Sequence, residues 1–293
     1  MKILIVGGDG MLGHELLQSL GSTHEVRVTL RRPVSAYGEF QLFSEGNSIG
    51  DVDARNIDRV ADVIKAVAPE AVINCVGLVK QRPNAKSSAL AIQINSLFPQ
   101  QLRDMCEDAG ARLIHFSTDC VFSGRTGSYH ETDVPDAIDV YGRSKLLGEV
   151  DHAPGLTLRT SIIGLELSHH ASLIEWFLAQ RGAIKGFRRA IYTGITTMEM
   201  GRLVDRLLGR HRDLHGVWHV ASSPISKYDL LVKLARALGR TDVEIVPDET
   251  FECDRSLRAD AFHAATGYEP PSWDDMLAEL AGEVRRRKHA ETA

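Results

Sequence analysis

No apolar run in this sequence approaches the length of a membrane span. Met1 and Lys2 are followed by only four apolar residues, too few for a signal-peptide core, so the expected compartment is the cytoplasm and no membrane partner is expected. Cysteine is scarce. Cys75, Cys106, Cys120 and Cys253 show no C-x-x-C spacing, which excludes a disulfide or zinc framework and suits a reducing compartment. Positive charge is not in excess either. Lys and Arg total 34 against 39 Asp and Glu, a net charge of −5, so no basic field draws nucleic acid. Internal repeats and low-complexity segments are absent. What remains is 293 residues at 43% hydrophobic content, enough for one large domain or two modest ones with a proper core.

Strand and helix patterns alternate through the first half, which predicts an α/β fold with a parallel sheet covered on both faces. Residues 2–6 read as the first strand, and residues 10–20 as a helix with Met11, Leu12, Leu16, Leu17 and Leu20 at helical spacing. Strands follow at 25–30, 71–76, 112–116 and from 156 to about 160. Helices are expected at 57–67 and 95–109. Residues 123–140, rich in Gly, Ser, Asp and Pro, read as a long loop, and loops of that length are often functional. Tyr141 opens the next helix. The second half is less regular, with helices at 171–180, 196–208, 226–238 and from 273 to about 287, and a strand at 216–220. A soft boundary falls near residue 160. Residues 1–160 form the nucleotide-binding part and 161–293 a smaller substrate-binding region, some of whose strands return to the main sheet.

Two motifs carry chemistry. The first is Gly7-Gly8-Asp9-Gly10-Met11-Leu12-Gly13, a G-x-x-G-x-x-G spacing between the first strand and the first helix. Gly7 permits a tight turn, Gly10 lets the backbone approach phosphate, and Gly13 lets the helix pack on the sheet. The N–H groups of the helix start, at Met11 and Leu12, complete a pyrophosphate site. The competing reading is an ordinary glycine turn. At the end of the second strand, where an NAD site usually carries an acid, stand Arg31 and Arg32. Two guanidiniums suit a 2′-phosphate, which places NADP(H) ahead of NAD(H); the alternative is a solvated surface pair. Asp51 and Val52 follow a third strand and are candidate adenine contacts.

The second motif is Tyr141-x-x-x-Lys145, with both side chains on one helix face. A nearby ammonium is expected to stabilise the phenolate and lower the tyrosine pKa, tuning a phenol to donate a proton to a carbonyl. Lys145 could also hold nicotinamide ribose hydroxyls. Thr118, in the strand-end run Ser117-Thr118-Asp119, could orient the substrate oxygen. Alone, Y-x-x-x-K is a common helix pattern. Downstream of a glycine turn and a strand-end Ser-Thr-Asp, it is more specific.

These segments, with residues 72–77, Ile94-Asn95, 116–124, 141–149 and 158–161, resemble the extended short-chain dehydrogenase/reductases. The resemblance is closest to the dTDP-4-dehydrorhamnose reductase-like branch, and it is clearest up to residue 161. It implies a Rossmann-type doubly wound parallel sheet and NAD(P)H-dependent reduction of a 4-keto group on a nucleotide-activated deoxysugar. Thr118, Tyr141 and Lys145 match the family's catalytic set, and Asn95 a helix asparagine that shapes the site. Cys75, Val76 and Gly77 match the segment along the cofactor, joined by Ser117. Thr160 to Ile162, with Ser161 at the centre, match the segment near the carboxamide. Asp119, Cys120 and Val79 fall on the substrate side. A homodimer is also implied. Two residues depart from the rhamnose reductases: Cys120 where tyrosine is typical, and Ile162 near an aromatic position. Cys120 resembles the cysteine of GDP-fucose synthase, so an epimerisation coupled to reduction is one alternative, if the thiol pKa is lowered. The other reading of Cys120 is a small buried cysteine filling space. The Asp119-Cys120 pair lacks the Asp–Glu of the 4,6-dehydratases. A second alternative is a non-catalytic module like the methionine adenosyltransferase regulatory subunit, which shares the branch.

Other features read more blandly. Lys185, Arg188 and Arg189 sit in an irregular segment, where Arg188 is a candidate diphosphate clamp and an exposed basic loop is the alternative. His169-His170 reads as a solvated loop pair, and His211, His215 and His219 do not form a metal ladder because Gly216 interrupts them. No metal site is expected. Arg285 to Lys288 complement the dipole at the end of the last helix. Arg159 is a candidate buried structural partner.

Overall fold

The computed structural model describes residues 1–78 and 87–292, with side chains through His289. Its elements, in chain order, are β1 (Lys2–Val6), α1 (Met11–Leu20), β2 (Glu25–Thr29), β3 (Ser48–Ile49), α2 (Ile57–Val67), β4 (Ala71–Asn74), α3 (Ser88–Ala91), α4 (Phe98–Asp108), β5 (Arg112–Phe116), α5 (Val140–Leu147) and β6 (Gly155–Arg159). They continue as β7 (Ile162–Ile163), α6 (Leu173–Ala179), β8 (Gly182–Tyr192), β9 (Ile195–Thr196), α7 (Thr197–Arg210), β10 (Gly216–His219), β11 (Ile225–Ser226), α8 (Lys227–Leu238), β12 (Val243–Asp254), α9 (Asp260–Thr266) and α10 (Trp273–Thr292).

Seven strands form one parallel sheet in the order β10-β6-β5-β4-β1-β2-β3. The unbroken apolar run of β1 follows from burial on both faces. Ile3 and Ile5 pack with Leu12, Leu16 and Leu20 of α1 on one side. Leu4 and Val6 pack with Val60, Val63 and Ile64 of α2 on the other. That two-sided cover is the doubly wound arrangement the alternating pattern implies. The strand order reverses between β1 and β4, and the crevice at such a switch point is where open α/β sheets bind ligands.

β10, from the second half, pairs in parallel with β6 at the far edge of this sheet. A second sheet, β11-β8-β12, lies in the second half, and β7 pairs with β9.

Three expectations need correction. The strand read as 71–76 ends at Asn74, because its side-chain oxygen accepts from Val76 N–H at 3.0 Å and turns the chain outward. The helix read as 95–109 starts earlier, at Ser88, and residues 92–97 are wound as a π-helix before α4. Lys185, Arg188 and Arg189 lie in the eleven-residue strand β8 rather than in an irregular segment. β8 buries Ile184, Ala190 and Tyr192, while Lys185 and Arg189 pair with Asp248 and Glu252 of β12 at 2.8 and 2.6 Å. Cations at 185, 188 and 189 break the two-residue period, which hid the strand in the sequence.

Candidate active site

Backbone geometry builds the nucleotide turn. Gly7 has φ +92°, a left-handed conformation that favours glycine, and a Cβ there would meet Val76 Cγ2 at 2.8 Å. A Cβ on Gly13 would collide with the Gly7 carbonyl, which is how closely α1 docks on the turn. Gly10 differs. Its Cβ would come no nearer than 3.5 Å to any protein atom, so packing does not require glycine there. The open space there leaves room for a ligand to come close to the backbone, which fits a dinucleotide pyrophosphate.

A cavity of about 280 Å³ opens at this turn. Its floor is Gly7 and Gly10, one wall runs from Arg31 to Val52 and Arg55, and the other from Cys75 to Leu78. Of the two arginines after β2, Arg31 lines the cavity, whereas Arg32 stacks on the Tyr37 ring at 4.8 Å. Asp51 is exposed with φ +56°, and the next residue, Val52, lines the wall. Leu12 packs into the core, and Met11 opens α1. Sequence reading missed Asp53 and Arg55, which line the same wall and pair bidentately, with Arg55 Nη2 2.6 Å from Asp53 Oδ2. The bond to Arg55 holds the Asp53 carboxyl below the usual range.

The chemical residues converge on the C-terminal ends of β5 and β6. Thr118, 6% exposed, caps a short 3₁₀ turn at residues 119–121. Its hydroxyl accepts from Cys120 N–H and donates to Asp119 Oδ1, both at 3.1 Å. α5 is started by Asp139, whose carboxylate accepts from Gly142 N–H at 2.8 Å. A Cβ on Gly142 would run into the Cys120 carbonyl, so α5 presses directly on the Thr118 turn. Tyr141 is thereby brought beside Thr118, whose hydroxyl interacts with its phenol. Lys145, 6% exposed, donates to the Phe116 carbonyl at 2.6 Å. Asn95 ties the π-helix to both sides of the site. Its Oδ1 accepts from Leu78 N–H at 2.8 Å, and its Nδ2 donates to Ser144 Oγ of α5 at 3.1 Å.

Electrostatics here differ from the expectation that Lys145 lowers the Tyr141 pKa. Burial pushes the phenol up, and nearby Cys120, Asp119 and Asp139 add to the rise; only the Thr118 hydroxyl pulls down. Burial lowers Lys145 to about 8 against the opposing charge of Glu149. Cys120 is pushed up to about 12 by burial, then by Asp119, while Arg255 opposes from 3.6 Å. A thiol in this state is not the activated one an epimerising cysteine needs.

The remaining residues fall as follows. Ser117 is buried and donates to Glu149 Oε1 at 2.6 Å, joining the buried Arg159–Glu149 pair, whose Nη2 and Oε2 are 2.8 Å apart. Arg159 is thus a structural partner. The Ser161 carbonyl accepts from Ile195 N–H at 3.0 Å, linking β7 and β9. Asp119 is buried with its pKa raised by burial, against Arg255 and Lys227. Arg188 stacks on the Tyr228 ring at 4.5 Å and faces Glu249. Val79 lies outside the described residues.

Two cations escaped sequence reading. Lys227 starts α8, and its Nζ lies 4.2 Å from the centroid of the Tyr192 ring, within electrostatic range of Asp119 and Cys120. Arg255 follows β12 and anchors to the Phe122 carbonyl at 2.9 Å. No sequence motif marks either; only the fold carries them to Cys120. His169 is exposed, as read, and also lines the cavity at the glycine turn. The basic run near the C-terminus does more than complement a dipole, because Arg287 reaches Glu175 at 2.6 and 3.0 Å. Among the described residues no group of three or more His, Cys, Asp or Glu side chains could hold a metal, and no helix is long and apolar enough to cross a membrane.

A doubly wound sheet with a glycine turn at its switch point, and a Thr–Tyr–Lys set beside it, defines the extended short-chain dehydrogenase/reductase class. Within it, the model of the RmlD substrate binding domain family matches residues 1–286, and the chain belongs to that family. A probable low-salt glycan biosynthesis reductase of Haloferax volcanii is 26% identical, over 96% of this chain and 97% of its own. Methionine adenosyltransferase 2 subunit beta of Danio rerio is 28% identical, over 84% of this chain and 76% of its own. Among solved structures, dTDP-4-dehydrorhamnose reductase of Bacillus anthracis in complex with NADP shares the fold. Its TM-score is 0.80 at 21% identity, covering 96% of this chain and 99% of the other.

Proposed function

We propose that this protein catalyses NAD(P)H-dependent reduction of a 4-keto group on a nucleotide-activated deoxysugar, with NADP(H) preferred. The reading is supported by the gathering of Thr118, Tyr141 and Lys145 at the C-terminal end of β5, with α5 tied through Asn95 to Leu78 of the cavity wall. When bound, the dihydronicotinamide supplies hydride. The glycine turn and the start of α1 would hold its pyrophosphate, with Cys75 to Gly77 alongside, and Arg31 would meet a 2′-phosphate. Thr118 would orient the substrate oxygen, and Tyr141, kept protonated by burial, would donate the proton to it. Lys145 would hold ribose hydroxyls. Asp119, Cys120, Lys227 and Arg255 form the substrate side, with Arg188 further out on β8.

The relatives named as reductases support this reading. The methionine adenosyltransferase subunit among the relatives keeps a non-catalytic, dinucleotide-binding module in view. The raised Cys120 pKa works against coupled epimerisation. The test is NADPH oxidation with a panel of 4-keto sugar nucleotides, in the native protein and in Tyr141→Phe. We expect turnover to fall by a factor of about 10² or more in the variant while NADPH still binds. Undiminished turnover in the variant rules out the proposed donor. No turnover by the native protein with any member of the panel favours the module.

A further inference from the structure

The nucleotide cavity has one wall residue from the second half of the chain, His169. The loop that delivers it is strained. His169 and His170 are successive non-glycine residues in the left-handed region, at φ +76° and +47°. Such a pair persists only where its surroundings hold it.

Here they do. The Glu166 carboxylate accepts from Ala171 and Ser172 N–H at 2.7 and 2.8 Å, closing the loop on itself. The buried Glu175 of α6 accepts from Glu166 N–H at 2.9 Å, and its other oxygen lies 3.1 Å from His170 Nδ1. Arg287 of α10 clamps both Glu175 oxygens. One imidazole of the pair is therefore tied into the brace. The other, His169, is exposed, has no hydrogen-bond partner among the described residues and lines the cavity.

The loop brings His169 to the cavity whose floor is Gly7 and Gly10, where a pyrophosphate would lie. The arginines lining the cavity, Arg31 and Arg55, stand on the wall formed by the segments after β2 and β3.

We infer that residues 166–172 form a strap across the dinucleotide site and that His169 donates a hydrogen bond to the diphosphate of the bound cofactor. The inference rests on the dinucleotide reading of the cavity. A diphosphate ligand, rather than the 2′-phosphate or the nicotinamide, sets the expected pattern: NADPH, NADH and ADP-ribose should all feel the loss of His169 alike.

The test is the binding of ADP-ribose, NADH and NADPH by calorimetry to the native protein and to His169→Gly. Glycine removes the imidazole and accepts the left-handed backbone, so folding is preserved and thermal stability does not fall. We expect affinity for all three ligands to drop by a similar factor, about tenfold to a hundredfold, as for a lost hydrogen bond to a charged group. Unchanged affinity for ADP-ribose, or a loss confined to NADPH, overturns the inference. If the native protein binds none of the three, the dinucleotide reading itself fails.

Discussion

At the residue scale, Lys145 and Tyr141 divide the pH dependence between them. Burial brings Lys145 to about 8, from an ordinary 10.5, while it pushes Tyr141 upward. The phenol therefore stays protonated across the working range, and the ammonium is the first of the two to titrate. Activity that needs the charged lysine should decline above about pH 8, approaching tenfold per unit in kcat/KM. Stability moves the other way. Between about pH 8 and 10.5 the unfolded chain holds the Lys145 proton and the folded chain does not, so this group makes folding more favourable as pH rises through that window. The opposite signs separate loss of the ammonium from denaturation. A pH–rate profile set beside urea midpoints at the same pH values checks this. A kcat/KM that stays flat to pH 10 would remove Lys145 from the chemistry.

At the scale of elements, the site depends on how α5 docks. Asp139 fixes its start, and Gly142 lets it touch the Cys120 carbonyl. Gly142→Ala should push α5 off the turn at residues 119–121 and part Tyr141 from Thr118. Displacements of a fraction of an ångström to an ångström at reacting groups are costly, so kcat should drop about tenfold to a hundredfold with dinucleotide affinity nearly kept. Gly209, inside α7, is the control: a Cβ there meets nothing within 4 Å, and Gly209→Ala should leave kcat alone and raise stability by up to about 1 kcal/mol. Equal kcat in both variants would show that the docking does not matter. Elements with one clear period were legible in the sequence, such as α2 at 57–67 and β5 at 112–116, since each shows an apolar face with recognisable ends. β8 and β12 were not, because each is a half-exposed strand whose charges, adjacent at 188–189 and 248–249, break the two-residue period and are paired across the two strands. The glycine turn between β1 and α1 was legible because its glycines are close in sequence. Lys227, Arg255 and His169 were not, because each reaches the cavity or Cys120 only through tertiary folding.

At the scale of the whole molecule, charges from both ends of the chain act on one carboxylate. Glu15, on α1, feels the charges of Glu279 and Glu283 of α10. Burial is the largest influence on it, those two acids add to it, and Arg202 and Arg286 only partly offset them, so its pKa rises to about 7 from 4.5. The arginines are engaged elsewhere: Arg202 holds Glu279 at 2.8 Å and Glu199 at 2.7 Å, and Arg286 pairs with Glu283. A carboxyl whose folded pKa is raised stabilises the fold when protonated. That contribution is full below about pH 4.5 and is lost as pH climbs through about 7. Above pH 7 the ionised Glu15 is a liability, partly buried among like charges. Glu15→Gln removes the charge at similar size, so it should stabilise the protein at pH 8 by roughly 2 kcal/mol, given that each pKa unit is worth about 1.4 kcal/mol and the group is partly exposed. At pH 5 the same substitution should change little, because the native carboxyl is already neutral when folded. Comparing variant with native protein at each pH cancels every other titrating group. Urea unfolding at the two pH values reads the difference directly, and a gain equal at pH 5 and pH 8 would mean that the charge on Glu15 is not what destabilises the fold above pH 7.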